Sequence, residues 1–253
     1  MLLGVLLIFY FFITLFSLTA LPVFSDEAIY IRWAQIAWHE PAKYLFLPML
    51  DGKNPIHVWL IMPFLKLIHD PLMAGRVLSV LVGACSVVVI GKLMKQLGGK
   101  TSDIRLAQLF TTLLPFWFFH NRMALAEPLL VFFLLLGLYA GFQVYEQKHI
   151  TWIVLFACAI GAALWTKVTA LFFLPMFVCL PLLAMIVKKK KLDLQIVRAY
   201  FSAGTWRLAL GGFIGILLFL TLKFSPLFPF LFTRSADYTF TLQDLLHGEW
   251  RFV

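Results

Sequence analysis

The side chains able to do chemistry in this sequence are few and fall in short groups: Ser25-Asp26-Glu27, Asp51-Gly52-Lys53-Asn54-Pro55-Ile56-His57, Arg76, Arg122 with Glu127, Lys167 and, farther on, Arg234. A carboxylate at a membrane boundary can exchange a proton or hold a cation, and a lysine or arginine there can hold an anionic headgroup. Each group also has a plain structural reading. Ser25 is a good helix N-cap, and two acids after it suit a first turn. Lys53, Arg76 and Lys167 read equally as snorkelling cations, and Arg122 with Glu127, five residues apart, as a local ion pair worth little if wet. Residue types leave both readings open, so the question becomes which elements carry these groups to one place.

Those elements are membrane helices. Of 253 residues 62% are hydrophobic and only 33 are charged, about half the fraction of a soluble domain, which excludes a water-soluble globule. Residues 1–25, 77–91, 106–121, 128–145, 149–166, 168–187 and 208–222 contain no Asp, Glu, Lys or Arg. Roughly 20 helical residues cross a hydrocarbon core of about 30 Å, so these runs with their flanks predict an all-α membrane protein of about seven transmembrane helices. The first run lacks a basic start and a small-residue cleavage site, and reads as a retained helix rather than a signal peptide. Between the first two runs, residues 25–39 predict an amphipathic interfacial helix with Ile29, Trp33, Ile36 and Ala37 on its apolar side. The apolar stretch from Ile56 to Ile68, broken by Pro63, is too short to span and reads as interfacial or re-entrant. Cys85, Cys158 and Cys179 lie in apolar runs without metal or disulfide spacing and are expected to be packing residues.

The net charge of +9 is unevenly spread. One alternating set of loops, containing Lys92, Lys95, Lys100, Arg105, Lys188 to Lys191, Arg198 and Arg207, carries +8, and the other carries +1. The basic set is predicted to be cytoplasmic, with the N-terminus on that side. The lysine run then serves lipid headgroups and implies no nucleic-acid partner. Nine of the twelve acids fall on the opposite face, Asp26, Glu27, Glu40, Asp51, Asp70, Glu127, Asp237, Asp244 and Glu249, so polar chemistry is expected there. Trp33, Trp38 and Tyr44 suit the interfacial depth of that face, and His57 follows the turn that carries Lys53.

In order and in residues, SDEAIYIRWAQIA, DGKNPIHVW, AGRVLSVLVG, HNRMALAEPLL and WTKVTAL resemble the outer-loop motifs of the GT-C type integral-membrane glycosyltransferases, in particular the protein-mannosyltransferase and aminoarabinose-transferase group, family 39. The resemblance covers roughly residues 1–187; KNP stands where the family often has KPP, and Glu127 where it usually has Asp. It implies a GT-C-like transmembrane module over residues 1–224, with a catalytic first outer loop at 22–76, and an extracytoplasmic segment at 225–253 that is truncated or incomplete.

The implied reaction is inverting transfer of a sugar from a polyprenyl-phosphate donor to an extracytoplasmic acceptor, in a bacterial inner membrane or its equivalent. On the residues that match, Asp26 would be the base, with Glu27 orienting and Glu127 assisting. Lys53, Arg76, Arg122, Lys167 and Arg234 would bind the donor phosphate, and His57, Trp33 and Tyr30 would face the acceptor or the interface. A divalent ion shared by Asp26 and Glu127 is left open, and the absence of GxGxxG and P-loop patterns agrees with a lipid-linked donor. Two other readings are carried forward: a non-catalytic subunit that keeps the GT-C helices to pack with other membrane subunits, and, less favoured because charge stays at the ends of the runs, a lipid or sugar transporter.

Overall fold

The computed structural model describes residues 2–147, 149–180, 182–183 and 194–236, which form helices and turns with no strand among them. In chain order the helices are α1 (Leu2–Leu15), α2 (Ser25–His39), α3 (Pro41–Tyr44), α4 (Ile56–Leu67), α5 (Pro71–Gln96), α6 (Thr101–Leu113), α7 (Pro115–His120), α8 (Ala126–Gln147), α9 (Ile150–Thr166), α10 (Leu174–Val178), α11 (Leu194–Leu220) and α12 (Phe230–Ala236). Short 3-10 turns occupy Leu47–Asp51, Val168–Phe173 and Thr221–Phe224. The chain is an all-α membrane protein.

The expected spans are realised unequally. Pro71–Gln96, Ala126–Gln147 and Gly204–Phe224 are long and apolar enough to cross a bilayer, while α1, α4, α9 and Val168–Val178 are shorter apolar pieces. The run 106–121 is not one helix, because Pro115 has no N–H to continue the ladder and Leu114 before it turns extended (φ −60°, ψ 119°), leaving α6 and α7 as separate elements. Pro63, by contrast, sits inside α4 without ending it. The three cysteines are exposed on the bundle surface rather than packed inside, a position where a thiol behaves as a small apolar group. Lys148, Lys188 to Lys191, the end of the run 168–187 and residues 237–253, with Asp237, Asp244 and Glu249, lie outside the described residues.

The main core is built by α8, α9 and α11 around Phe156, Ile160 and Leu164. Small residues let α9 and α11 approach closely: a Cβ at Gly215 would stand 2.8 Å from the Ile160 Cβ, and one at Gly161 2.9 Å from Leu218. Helix α1 lies along α5, with the Tyr10 hydroxyl donating to the Val80 carbonyl at 3.0 Å. One end of the bundle is tied by a relay of side-chain amides, Gln143 donating to Gln96 (2.9 Å), Gln147 to Gln143 (2.6 Å) and the Trp152 indole to Gln147 (2.9 Å). The other end carries α2, α4 and the loops with the polar groups of interest.

Candidate active site

Helix α2 decides which of two adjacent acids is buried. Ser25 opens the helix but does not cap it; the Phe24 N–H donates instead to Glu27 Oε2 at 3.3 Å. The buried stripe is Glu27, Tyr30, Ile31, Ala34 and Ala37, rotated from the stripe of Ile29, Trp33, Ile36 and Ala37 read from the sequence. The rotation takes Glu27 inside and leaves Asp26 at the rim.

Inside, Glu27 and Arg76 form a closed knot. Both side chains are 0% exposed, and Arg76 donates through Nε to Oε1 (2.7 Å) and through Nη2 to Oε2 (2.8 Å). The remaining guanidinium protons go to the carbonyls of Leu18 (2.7 Å), Leu21 (3.1 Å) and Pro22 (3.2 Å), so all five donors are spent. Glu27 also accepts from the Ala124 N–H at 2.8 Å. One carboxylate thus ties α2, α5, the end of the α1 segment and the loop before α8. In this geometry Arg76 has no proton left for a ligand.

Arg122 is likewise turned inward, and its expected local pairing with Glu127 does not form. Its Nη1 donates to Ile13 (3.2 Å) and its Nη2 to Phe16 (2.8 Å) and Ser17 (2.9 Å), carbonyls at and beyond the last turn of α1, where a cation also meets the negative end of the helix dipole. Asp70, counted among the outer acids, caps α5 by accepting from Leu72 (2.9 Å) and Met73 (3.4 Å).

At the rim the polar groups are open. Lys53 reaches Asp26 at 2.9 Å and Asp51 at 3.7 Å, with side chains 24%, 45% and 31% exposed. The turn that presents Lys53 depends on Gly52, whose φ of 71° is left-handed. Lys167, just past the end of α9, reaches Glu127 on the first turn of α8 at 2.6 Å, with exposures of 41% and 37%. The two pairs border one aromatic centre. Lys53 lies over the rings of Tyr30 (5.2 Å) and Trp33 (5.7 Å), and Tyr30 packs edge-on against His57 (5.1 Å). Burial, and then the charges of Glu127, Asp26 and Asp51, push the Tyr30 hydroxyl pKa up.

His57 lies beneath this centre, 1% exposed. Burial pulls its pKa down to about 4, against the nearby Ala124 carbonyl and Glu127 charge, so it is neutral at ordinary pH. Neither ring nitrogen has a hydrogen-bond partner. Arg234 is exposed on α12, which packs against the Leu47–Asp51 turn that leads into Lys53.

Three further residues fix the site without having been read as part of it. Asn54 donates to the Leu164 carbonyl near the end of α9, Trp59 donates to Leu45 (2.6 Å) and stands edge-on to Trp165 (5.5 Å), and Trp165 donates to Leu218 (2.9 Å). The asparagine in KNP is the one signal that could have shown this, since an amide there gains a bond that proline cannot make. As for a cation between Asp26 and Glu127, each carboxylate is held by a lysine, and no three His, Cys, Asp or Glu among the described residues gather into a metal-binding group. The donor set does not fit a divalent metal.

No curated protein matches the chain. The sequence profile of the dolichyl-phosphate-mannose-protein mannosyltransferase family matches residues 52–210, a range that takes in Lys53, His57, Arg76, Arg122, Glu127 and Lys167 and begins after Asp26 and Glu27. With more than half of its length matched, and with membrane helices that bring those residues to one end, the chain belongs to the dolichyl-phosphate-mannose-protein mannosyltransferase family.

Proposed function

We propose that the protein transfers a sugar from a polyprenyl-phosphate donor to a hydroxyl or amine acceptor, with inversion, at the rim formed by Asp26, Lys53, Glu127 and Lys167. The observation that carries this reading is the pair of part-exposed carboxylate–lysine contacts flanking Tyr30. Ion pairs this wet contribute about 0–1 kcal/mol, too little to explain them as supports of the fold. Family membership supplies the reaction class.

In the proposed step Asp26 takes the acceptor proton as the acceptor atom bonds to the anomeric carbon; the bond from that carbon to the lipid phosphate breaks, and the phosphate leaves with the electron pair. Lys53 orients Asp26 and, with Lys167, stabilises the charge growing on the phosphate. Each lysine is held in the resting site by a carboxylate that an arriving phosphate competes with. Glu127 positions the acceptor, and Arg234 stands as a further cation near the Lys53 turn. Glu27 with Arg76, and Arg122 with α1, are positioning groups that touch no substrate. The active face is extracytoplasmic and the N-terminus cytoplasmic, a reading that the bias of Lys and Arg among the loops supports.

The test supplies the purified chain with a polyprenyl-phosphate sugar and an acceptor peptide, with a nucleotide sugar as comparison donor. The proposal expects acceptor-dependent release of polyprenyl phosphate and none of nucleotide. Transfer from the nucleotide sugar, or no release from either donor, would count against it.

A further inference from the structure

The two rim lysines are not held alike. Lys167 has one carboxylate, Glu127 at 2.6 Å, whereas Lys53 stands between two, Asp26 at 2.9 Å and Asp51 at 3.7 Å. Nothing in the proposed transfer uses Asp51. The fold nevertheless fixes it: Asp51 ends the Leu47–Asp51 turn, whose Met49 is 0% exposed and against which α12 packs. The Gly52 and Lys53 N–H groups donate back to the carbonyls of Met49 and Pro48, each at 3.1 Å, so acid and lysine are carried as one unit across the left-handed Gly52.

The transfer chemistry gives the two acids different fates. Asp26 takes the acceptor proton in the proposed step and loses its charge as the lipid phosphate gains its own. A neutral acid no longer competes for an ammonium ion. Asp51 takes no proton in that step, so it remains to oppose the phosphate when the product must leave. The rings of Tyr30 and Trp33, 5.2 and 5.7 Å from the Lys53 ammonium, hold it at this spot, and phosphate and Asp51 then compete for the same cation.

We infer that Asp51 is a positioning residue for product release: it draws Lys53 back from the polyprenyl phosphate that the transfer leaves behind, and so sets how tightly that product is held. That the product is a polyprenyl phosphate rests on the proposed transfer; the direction of the effect rests only on the repulsion between two anions that share one lysine.

Equilibrium binding of polyprenyl phosphate to the purified full chain in detergent tests this without turnover. Asp51→Asn should bind the lipid about fivefold more tightly than the wild type, the worth of one part-exposed charge pair, and Asp51→Glu, which keeps the charge, should restore wild-type affinity. With Lys53→Ala already present, Asp51→Asn should change affinity by less than about twofold, because the two residues act through one contact. Glu40→Gln, at an exposed acid beyond the far end of α2, should leave affinity at the wild-type level. In the transfer assay, Asp51→Asn should be inhibited by polyprenyl phosphate at about fivefold lower concentration. No binding by the wild type, unchanged or weaker binding in Asp51→Asn, or an equal gain in Glu40→Gln or in the Lys53→Ala background would overturn the inference. A wild type that binds the lipid with this dependence on Asp51 but transfers no sugar would overturn the transfer reading and leave the role of Asp51 standing. Sugar transfer with binding indifferent to Asp51 would overturn the role of Asp51 alone.

Discussion

Two carboxylate–cation pairs begin at adjacent residues of α2 and differ in nearly everything but the signs of their charges. Glu27 with Arg76 is fully buried and has every hydrogen-bonding group satisfied, whereas Asp26 with Lys53 is 45% and 24% exposed and shares its lysine with Asp51. Breaking a buried pair costs about 3–5 kcal/mol because the surviving charge is stranded, while an exposed pair contributes about 0–1 kcal/mol. The buried knot therefore holds the fold, and the rim pairs are free to be disturbed by a ligand. Site and support are told apart here by burial, not by chemistry.

The largest expected effect separates them. Glu27→Gln leaves Arg76 with an uncompensated buried charge and should lower stability by about 3–5 kcal/mol, read in thermal unfolding and in yield of folded protein. Next, Asp26→Asn should cut transfer by about 10²–10⁴-fold, the usual worth of a positioned base, with insertion and folding unchanged. Lys53→Ala and Lys167→Ala, which remove charge opposite the leaving phosphate, should each cost about 10²–10³-fold, mostly in kcat rather than KM. An acid of the same face with neither role sharpens the contrast: Asp70→Ala should cost about 1 kcal/mol of stability, the loss of an N-cap, and leave kcat untouched.

A pH dependence sharpens the contrast from another side. His57 is held neutral with a pKa of about 4 against an ordinary value of 6.5, so unfolding takes up a proton in that range. Stability from this group is complete above about pH 6.5 and is lost as pH falls toward and through about 4. In His57→Phe the slope of stability against pH over that interval should flatten.

The sequence carried the membrane class and the order of polar groups along the chain, because uncharged runs and loop charges are local properties. It carried less of the site. Four groups placed at the rim, Asp26, Lys53, Glu127 and Lys167, do meet at one end of the bundle, yet their pairing joins segments 27 and 40 residues apart that no spacing announces. Arg76 and Arg122 share the cationic charge and boundary position of the lysines, and only packing shows that Arg76 is taken up by Glu27 and the carbonyls after α1 and that Arg122 turns to carbonyls at the end of α1. The apolar stripe of α2 was misjudged because helical periodicity weighs Ile29 and Trp33 as apolar and Glu27 as polar, whereas Arg76 gives that glutamate a partner inside. Asn54 was passed over because a turn asparagine looks like turn chemistry until α9 is seen beside it.

The division between knot and rim is tested most directly by the thermal unfolding midpoints of Asp26→Asn and Glu27→Gln measured side by side in the same detergent. The account predicts a drop of about 6–20 °C for Glu27→Gln and no more than about 4 °C for Asp26→Asn. Equal drops in the two variants, or a larger one in Asp26→Asn, would contradict it.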